Sequence, residues 1–269
     1  EQSVKEYLNI MDHRKTEQLI DTLDKVEQNR KECYIREFSI EHFHDSKVFE
    51  TLIPKICKIF REENEELTGF ENEEILAEYQ IYKTPGYVYM KGNVQIYSAG
   101  KQAADISAFP EGIAVAVGSE EDTPDICVDQ TIDKVFTIEN LTSFYRFKQE
   151  HSLVIYLGGY HNHSRRNLLM QIYQKLPDAQ YYHFGDLDAG GFYILEHLKR
   201  KTGIPFQMFQ MDIETLKKYE DYAKPLTEND KKRLMQLEKM ELPDEERKLI
   251  TYMLQKGIKL EQECISESQ

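Results

Sequence analysis

Two aspartates stand two residues apart after an apolar and aromatic run in the segment Tyr181–Phe192, which reads YYHFGDLDAGGF. The run predicts a buried strand that ends with Asp186 and Asp188, and the pattern from Phe192 to Lys201 predicts a helix after it. Because residues i and i+2 of an extended backbone share a face, both carboxylates can point at one ion. Such oxygen ligands suit Mg²⁺ or Mn²⁺. The alternative is a solvated acidic turn that caps the helix.

A third carboxylate, Glu139, follows an apolar run at Lys134–Ile138, and another apolar run lies at Leu153–Leu157. Helical patterns separate these runs, and Thr142 or Ser143 is expected to cap the first of the helices. Alternating strands and helices are typical of a parallel sheet with crossover helices, in which ligands bind at the carboxyl ends of the strands. We therefore expect all three carboxylates at one edge of the sheet.

Two groups of basic residues accompany this predicted edge. The first follows the middle strand and is suited to contact with a phosphodiester backbone: His161, His163, Arg165 and Arg166. Its histidines have an equally supported alternative role in satisfying the backbone groups of a turn. The second group, Lys199–Lys201, ends the helix after the aspartates and is interpreted as compensation of the helix dipole.

Composition limits the possible functions. The chain has 269 residues, 40% of them hydrophobic, which suffices for one large or two ordinary domains. No run reaches the roughly 18 apolar residues of a membrane span, and the four cysteines are scattered without metal-ligand spacing. We therefore predict a cytoplasmic protein with reduced thiols and no membrane contact. Its net charge of −14 argues against strong unaided binding to DNA.

The motif order carries a family resemblance. Ile138-Glu139-Asn140 followed by Gly185-Asp186-Leu187-Asp188 resembles the TOPRIM fold of topoisomerases, primases and some nucleases. More narrowly, the chain resembles the JetD family, the nuclease subunits of the Wadjet plasmid-defence system, which is related to the A subunit of topoisomerase VI. Further similar stretches are spread over most of the chain: Ile35–Ile40, Asp45–Lys47, Thr137–Phe144, Met211–Asp212 and Leu260–Glu263.

The resemblance implies an α/β protein with two domains. Residues 1–122 are expected to form a helical arm and an α+β winged-helix-like DNA-binding domain. Residues 123–269 are expected to form a TOPRIM domain, a parallel sheet flanked by helices. Two short apolar runs, Tyr87–Met90 and Val94–Tyr97, predict a hairpin that would be the wing of the first domain.

The activity implied by the resemblance is divalent-metal-dependent DNA hydrolysis with Mg²⁺ or Mn²⁺. Asp186 and Asp188 are the expected metal ligands, and Glu139 is a ligand or the general base. Glu263 is a further candidate ligand, for which a solvated acidic helix end is an equally supported alternative. The expected DNA contacts are made by basic residues of both domains: Arg36, Lys47, His161, His163, Arg165 and Arg166.

One departure from the topoisomerase relatives bears on mechanism. Those relatives carry paired tyrosines after an Arg-Glu dipeptide, and one tyrosine attacks the DNA phosphate. If Arg36-Glu37 is the equivalent dipeptide, Ser39 and Ile40 occupy the tyrosine positions. Neither replaces a phenolic nucleophile, so we expect attack by a metal-activated water. Tyr34 as a displaced nucleophile is a weaker alternative in a chain with 17 tyrosines.

The resemblance also implies partners, namely double-stranded plasmid DNA, an SMC-like (condensin-type) complex that presents it, and a second copy of the chain in a homodimer. Two other functions fit parts of the sequence. One is a catalytically silent scaffold of the same complex. The other is a Mg²⁺-dependent phosphatase or sugar-nucleotide transferase that uses the Asp-x-Asp pair, which would leave Glu139 unexplained.

Overall fold

The computed structural model describes residues 13–64, 67, 70–83, 86–98, 100–117, 125–158 and 163–265. The chain divides into two compact units, Glu1–Gly86 and Tyr87–Gln269. This division precedes the boundary expected at residues 122/123, because strands before that point join the sheet of the second unit. No described helix is long and apolar enough to cross a membrane.

The first unit is mainly helical. Its strands β1 (Cys33–Tyr34) and β2 (Ile81–Tyr82) form a short parallel pair. Its helices are α1 (His13–Gln28), α2 (Ile35–Phe43), α3 (Val48–Glu63) and α4 (Asn72–Glu78). Fully buried aromatic and branched side chains form its interior, among them Phe38, Phe49, Ile56 and Ile75. The winged-helix assignment of this unit stays a prediction.

The second unit is mixed α/β. Its strands are β3 (Gly86–Lys91), β4 (Val94–Ser98), β5 (Lys101–Asp105), β6 (Ile113–Val117), β7 (Asp125–Val128), β8 (Lys134–Ile138), β9 (Ser152–Tyr156), β10 (Gln180–Phe184), β11 (Gln207–Met208), β12 (Lys224–Pro225) and β13 (Ile258–Lys259). Its α-helices are α5 (Leu141–Arg146), α6 (His163–Lys175), α7 (Ala189–Thr202), α8 (Ile213–Lys218), α9 (Glu228–Leu237) and α10 (Asp244–Lys256).

The main sheet has the strand order β11-β10-β8-β9-β3-β6. Strands β8, β9, β10 and β11 run parallel, as the alternation of strands and helices predicted, and β3 pairs antiparallel with β9. A separate three-stranded sheet has the order β5-β4-β7. The mixed α/β class is confirmed, and the TOPRIM assignment stays a prediction.

Both faces of the central strands are buried, which explains their continuous apolar sequences. On one face Val135, Leu153 and Tyr181 pack with apolar residues of α6 and α7. On the other face Phe136 and Phe184 join a second cluster with residues of α5, α8, α9 and α10. The sheet is therefore held between two layers, and the carboxyl ends of its strands lie at one edge between them.

The predicted wing hairpin is wrong. Strands β3 and β4 form where expected, but β3 pairs with β9 in the main sheet and β4 pairs with β5 and β7. Gly92 between them has a φ of 135°, and a Cβ there would lie 2.6 Å from the carbonyl oxygen of Ser152. The turn thus packs against the start of β9, and the two strands enter different sheets.

Candidate active site

The first and second carboxylates meet because β8 and β10 are neighbours that end in register. Ile138 pairs with Phe184, and the backbone N–H of Glu139 continues the ladder by donating to the Phe184 carbonyl oxygen at 3.0 Å. The backbone N–H of Asp186 donates to Glu139 Oε2 at 3.4 Å. Glu139 and Asp186 therefore share the carboxyl edge of the sheet, where the strand pattern placed them.

Two glycines make room for this arrangement. A Cβ on Gly185 would lie 2.6 Å from Glu139 Oε2. A Cβ on Gly191 would lie 2.2 Å from the backbone oxygen of Asp186, closer than real Cβ atoms approach. The close fit of the start of α7 against the Asp186 backbone thus depends on glycine at position 191, whereas a side chain at position 185 would displace the Glu139 carboxylate.

The carboxylate of Asp186 is fixed by a residue far along the chain. Its Oδ1 accepts a hydrogen bond from the backbone N–H of Gln262 at 2.7 Å. The buried Gln262 carboxamide accepts from the Asn140 backbone N–H at 2.8 Å and donates to the Phe184 carbonyl oxygen at 3.0 Å. Gln262 therefore connects the ends of β8 and β10 and positions Asp186.

The C-terminal segment reaches this edge through a pair of backbone hydrogen bonds between Leu187 and Leu260, at 2.9 and 3.1 Å. Sequence reasoning assigned no role to Gln262. The available signal was its place in Leu260–Glu263, one of the stretches that carry the family resemblance.

Asp188 and Glu263 complete the edge, and each already serves a local structural role. Asp188 caps α7, since its Oδ1 accepts from the Gly191 backbone N–H at 2.9 Å. The exposed Glu263 accepts from the side-chain amide of Asn140. Asn140 itself caps α5 through the backbone N–H groups of Thr142 and Ser143, so the prediction that one of those two residues is the cap is wrong. We call Glu139, Asp186, Asp188 and Glu263 the acidic rim.

The electrostatics of the acidic rim disfavour ionisation of Asp186. Burial is the main cause that raises its pKa to about 6, and the carboxylates of Asp188, Glu263 and Glu261 raise it further. The Gln262 N–H acts in the opposite direction. Within the described ranges no lysine or arginine forms an ion pair with Asp186, Asp188 or Glu263. Lys224 pairs instead with Glu261, at 2.5 Å.

His183 lies behind the acidic rim in β10. It is completely buried, and its Nδ1 lies 3.0 Å from the Thr137 hydroxyl oxygen. Burial, helped by the positive charge of Lys199, lowers its pKa to about 3. His183 is therefore a neutral interior residue.

The donor chemistry of the acidic rim fits a hard divalent cation, because all its side chains offer carboxylate oxygens. Asp186 and Asp188 each use one oxygen for the hydrogen bonds described above. Their other oxygens receive no hydrogen bond from any residue that the structure describes. Yet no three acidic, histidine or cysteine side chains of the described ranges converge into a ready-made ion site. The acidic rim therefore matches a divalent cation in the type of its donor atoms and in its location at the sheet edge.

The basic residues expected to bind DNA lie in varied surroundings. Arg165 is largely buried and donates to the carbonyl oxygens of Leu157 and Tyr87. Arg166 is also buried, at 8% exposure, and His163 begins α6. His161 lies outside the described residues.

The two DNA contacts expected in the first unit are exposed. Arg36 forms an ion pair with Glu50 at 3.4 Å, and Lys47 precedes the first residue of α3. Nearby, the hydroxyl of Ser39 is buried and bonded to the Asp45 carbonyl oxygen and the Phe49 backbone N–H. Ile40 is 53% exposed. Neither side chain offers an accessible nucleophile, and the equivalence of these positions with the tyrosines of the topoisomerase relatives stays a prediction.

Comparison with known proteins gives two matches. A family model described as the C-terminal part of Wadjet protein JetD matches residues 120–269, a range that contains the whole acidic rim. Wadjet protein JetD of Bacillus cereus (strain Q1) is 29% identical over 263 residues. The alignment covers 96% of this chain and 63% of that relative, so the chain spans less than two thirds of the relative's length.

Proposed function

The chain belongs to the JetD family of Wadjet proteins, and from this premise we propose that it is a divalent-metal-dependent DNA endonuclease. In this proposal it hydrolyses plasmid DNA as the effector subunit of a Wadjet complex. The TOPRIM domain would carry the acidic rim, and the winged-helix-like domain would contribute DNA contacts at Arg36 and Lys47.

The proposal rests on the meeting of Glu139, Asp186 and Asp188 at one sheet edge, where no described lysine or arginine forms an ion pair with the two aspartates. Neighbouring carboxylates in a partly buried place repel one another, which costs free energy unless a cation or protons intervene. A divalent cation bound between these carboxylates would offset their repulsion. Phosphodiester hydrolysis is a reaction that needs such a cation.

In the proposed mechanism, Asp186 and Asp188 would hold Mg²⁺ or Mn²⁺, with Glu263 as a further ligand. A bound cation would supply Lewis acidity and offset charge on the phosphate oxygens. Glu139 contributes either another ligand or the base that accepts a proton from the attacking water. Gln262 holds the Asp186 carboxylate in place, and its N–H favours the ionised form that a cation requires.

The partners follow from the same proposal. A chain of net charge −14 binds DNA weakly by itself, because non-specific affinity comes from neutralising phosphates. We therefore assign delivery of double-stranded plasmid DNA to an SMC-like (condensin-type) complex in the cytoplasm. Cutting both strands requires two acidic rims, which a homodimer provides.

A catalytically silent scaffold is the second candidate. It is favoured by the absence of a completed ion site among the described side chains, and by the structural roles of Asp188 and Glu263. A Mg²⁺-dependent phosphatase or nucleotidyl-type enzyme would act on small phosphomonoesters and would not require Glu139. Activity on such a substrate separates it from the nuclease.

The test is cleavage of a supercoiled plasmid with Mg²⁺ or Mn²⁺ in the presence of the companion Wadjet proteins. Asp186→Asn keeps an oxygen that can accept from the Gln262 N–H and removes only the charge. The matched control is Asp129→Asn, which removes a charge from an exposed turn before β8, at the opposite end of that strand. We expect cleavage by the parent and the control and its loss in Asp186→Asn. Equal cleavage by all three would contradict the site.

A further inference from the structure

A cleft of about 670 Å³ opens beside the acidic rim in the second unit. Glu263 of the rim and Phe184 at the end of β10 belong to its lining. So do Tyr145 and Arg146 of α5 and Gln210, which lies just beyond β11. The cleft therefore meets the acidic rim at Glu263.

Arg146 gives the cleft a cationic group that no described residue binds. It lies in the last turn of α5 and is exposed. In the part of the chain that the structure describes, its guanidinium makes no hydrogen bond and no ion pair, although Glu111 and Glu263 line the same cleft. A planar guanidinium with five donors is well suited to bind a phosphate.

Gln210 is the second unusual residue of the cleft. Its backbone is left-handed, with a φ of 53°, a conformation that residues other than glycine adopt rarely. Its Oε1 is buried and has no hydrogen-bond partner among the described residues. The Gln210 amide oxygen therefore has an unused acceptor, which a bound ligand could satisfy with a hydrogen bond.

Tyr145 supplies an aromatic surface in the same cleft. Tyr145 is 40% exposed, and its ring packs edge-to-face with Phe144 at a centroid distance of 5.4 Å. An exposed aromatic ring beside a cation and an amide matches the way proteins hold unpaired nucleotides: the ring stacks on a base and the cation binds the backbone.

We infer that this cleft binds one unpaired strand of DNA that leads away from the acidic rim. Arg146 binds a phosphate of that strand, Tyr145 stacks on a base, and the Gln210 amide accepts a hydrogen bond from a base or sugar. The inference rests on the proposed nuclease function and adds that the strand is locally unpaired beside the site of cleavage.

The test is fluorescence anisotropy of a labelled single-stranded oligonucleotide, measured in EDTA with the Asp186→Asn chain so that hydrolysis cannot occur. Arg146→Ala should weaken binding about tenfold, as expected for loss of a hydrogen bond to a charged group. It should also reduce the slope of log affinity against log salt by about 0.7, the value for one phosphate of a single strand. The control Arg247→Ala removes the same charge from α10 and should leave both quantities unchanged.

Gln210→Gly is the second variant, because glycine adopts the left-handed backbone without strain. We expect weaker binding of the single strand together with an unchanged or higher midpoint of thermal unfolding. Those two results together would show that Gln210 contacts the ligand. If Gln210 only stabilised the fold, Gln210→Gly would lower the midpoint of thermal unfolding.

Unchanged affinity in both cleft variants, or no binding by the parent, would overturn the inference. A duplex of the same sequence whose binding depends equally on Arg146 would overturn the assignment to an unpaired strand. The nuclease proposal is judged separately by plasmid cleavage. Loss of cleavage in Asp186→Asn with no effect of the cleft variants on binding would reject only the cleft.

Discussion

Two groups of carboxylates in the second unit differ in how their charge is balanced. In the first, which we call the lysine cluster, Lys199 Nζ lies 2.8 Å from Glu196 Oε1 and 2.5 Å from Glu246 Oε1. Burial raises the pKa of Glu246 to about 7, and Lys199 opposes that increase. In the acidic rim, burial raises the pKa of Asp186 to about 6, and the neighbouring carboxylates increase the shift.

The presence or absence of an internal cation distinguishes a structural cluster of carboxylates from a candidate binding site. Where carboxylates only join α7 to α10, the chain supplies its own cation from Lys199. At the acidic rim, Asp186 has only the N–H of Gln262 as a favourable partner among the described residues. The free-energy cost of that arrangement is explained if an external cation binds there.

The largest effect is expected from removing the internal cation of the lysine cluster. Lys199→Met should lower the free energy of unfolding by about 3–5 kcal/mol, because it leaves buried carboxylates without a partner. Urea unfolding measures this change. Lys201→Met, an exposed lysine of the same helix, is the control and should change stability by less than about 0.5 kcal/mol. Adding Glu246→Gln to Lys199→Met should recover part of the loss, and no recovery would contradict the assigned pairing.

A smaller effect is expected from the residue that holds the acidic rim together. Gln262→Ala should lower the free energy of unfolding by about 1–3 kcal/mol, because it leaves the Asn140 N–H without a partner and removes one of the two hydrogen bonds to the Phe184 carbonyl oxygen. Gln262→Glu is the informative partner, since it keeps the acceptor for Asn140 and adds a charge beside Asp186. If both variants are as stable as the parent, Gln262 does not position the rim.

The smallest expected effect is a gain in the free energy of unfolding, from removing the charge of Asp186. The folded pKa of Asp186, about 6, lies above its ordinary value of 3.8. The folded state therefore binds a proton more tightly, and its stability falls as the pH rises from about 4 to about 6. The free energy of unfolding of Asp186→Asn should thus be about 1–2 kcal/mol higher than that of the parent at about pH 7.5. At about pH 4 the two free energies of unfolding should be equal. Urea unfolding at the two pH values measures this, and a gain that does not depend on pH would contradict the cause.

The parts of the site that depend on local sequence were predictable. The runs Lys134–Ile138 and Gln180–Phe184 are apolar enough to indicate buried strands, and a carboxylate follows each. Because the two strands are parallel neighbours, their ends had to meet at one edge. The position of Glu139 and Asp186 followed from this rule without knowledge of any side-chain contact.

The parts that depend on distant contacts were not predictable. Gln262 reaches the ends of β8 and β10 only because Leu260 pairs with Leu187, and nothing local in the sequence indicates that pairing. Lys199 was interpreted as compensation of the helix dipole, yet its main partner, Glu246, lies 47 positions away in α10. The pairing of β3 with β9 instead of β4 likewise depends on tertiary packing.

The most direct test of the central claim is calorimetric titration of Mn²⁺ into the chain, which needs neither DNA nor partner proteins. We expect binding by the parent and by Asp129→Asn, and its loss in Asp186→Asn. Binding should also release protons below about pH 6, where Asp186 is partly protonated. Equal binding by the parent and Asp186→Asn, or no binding by the parent, would contradict the claim that the acidic rim takes its cation from solution.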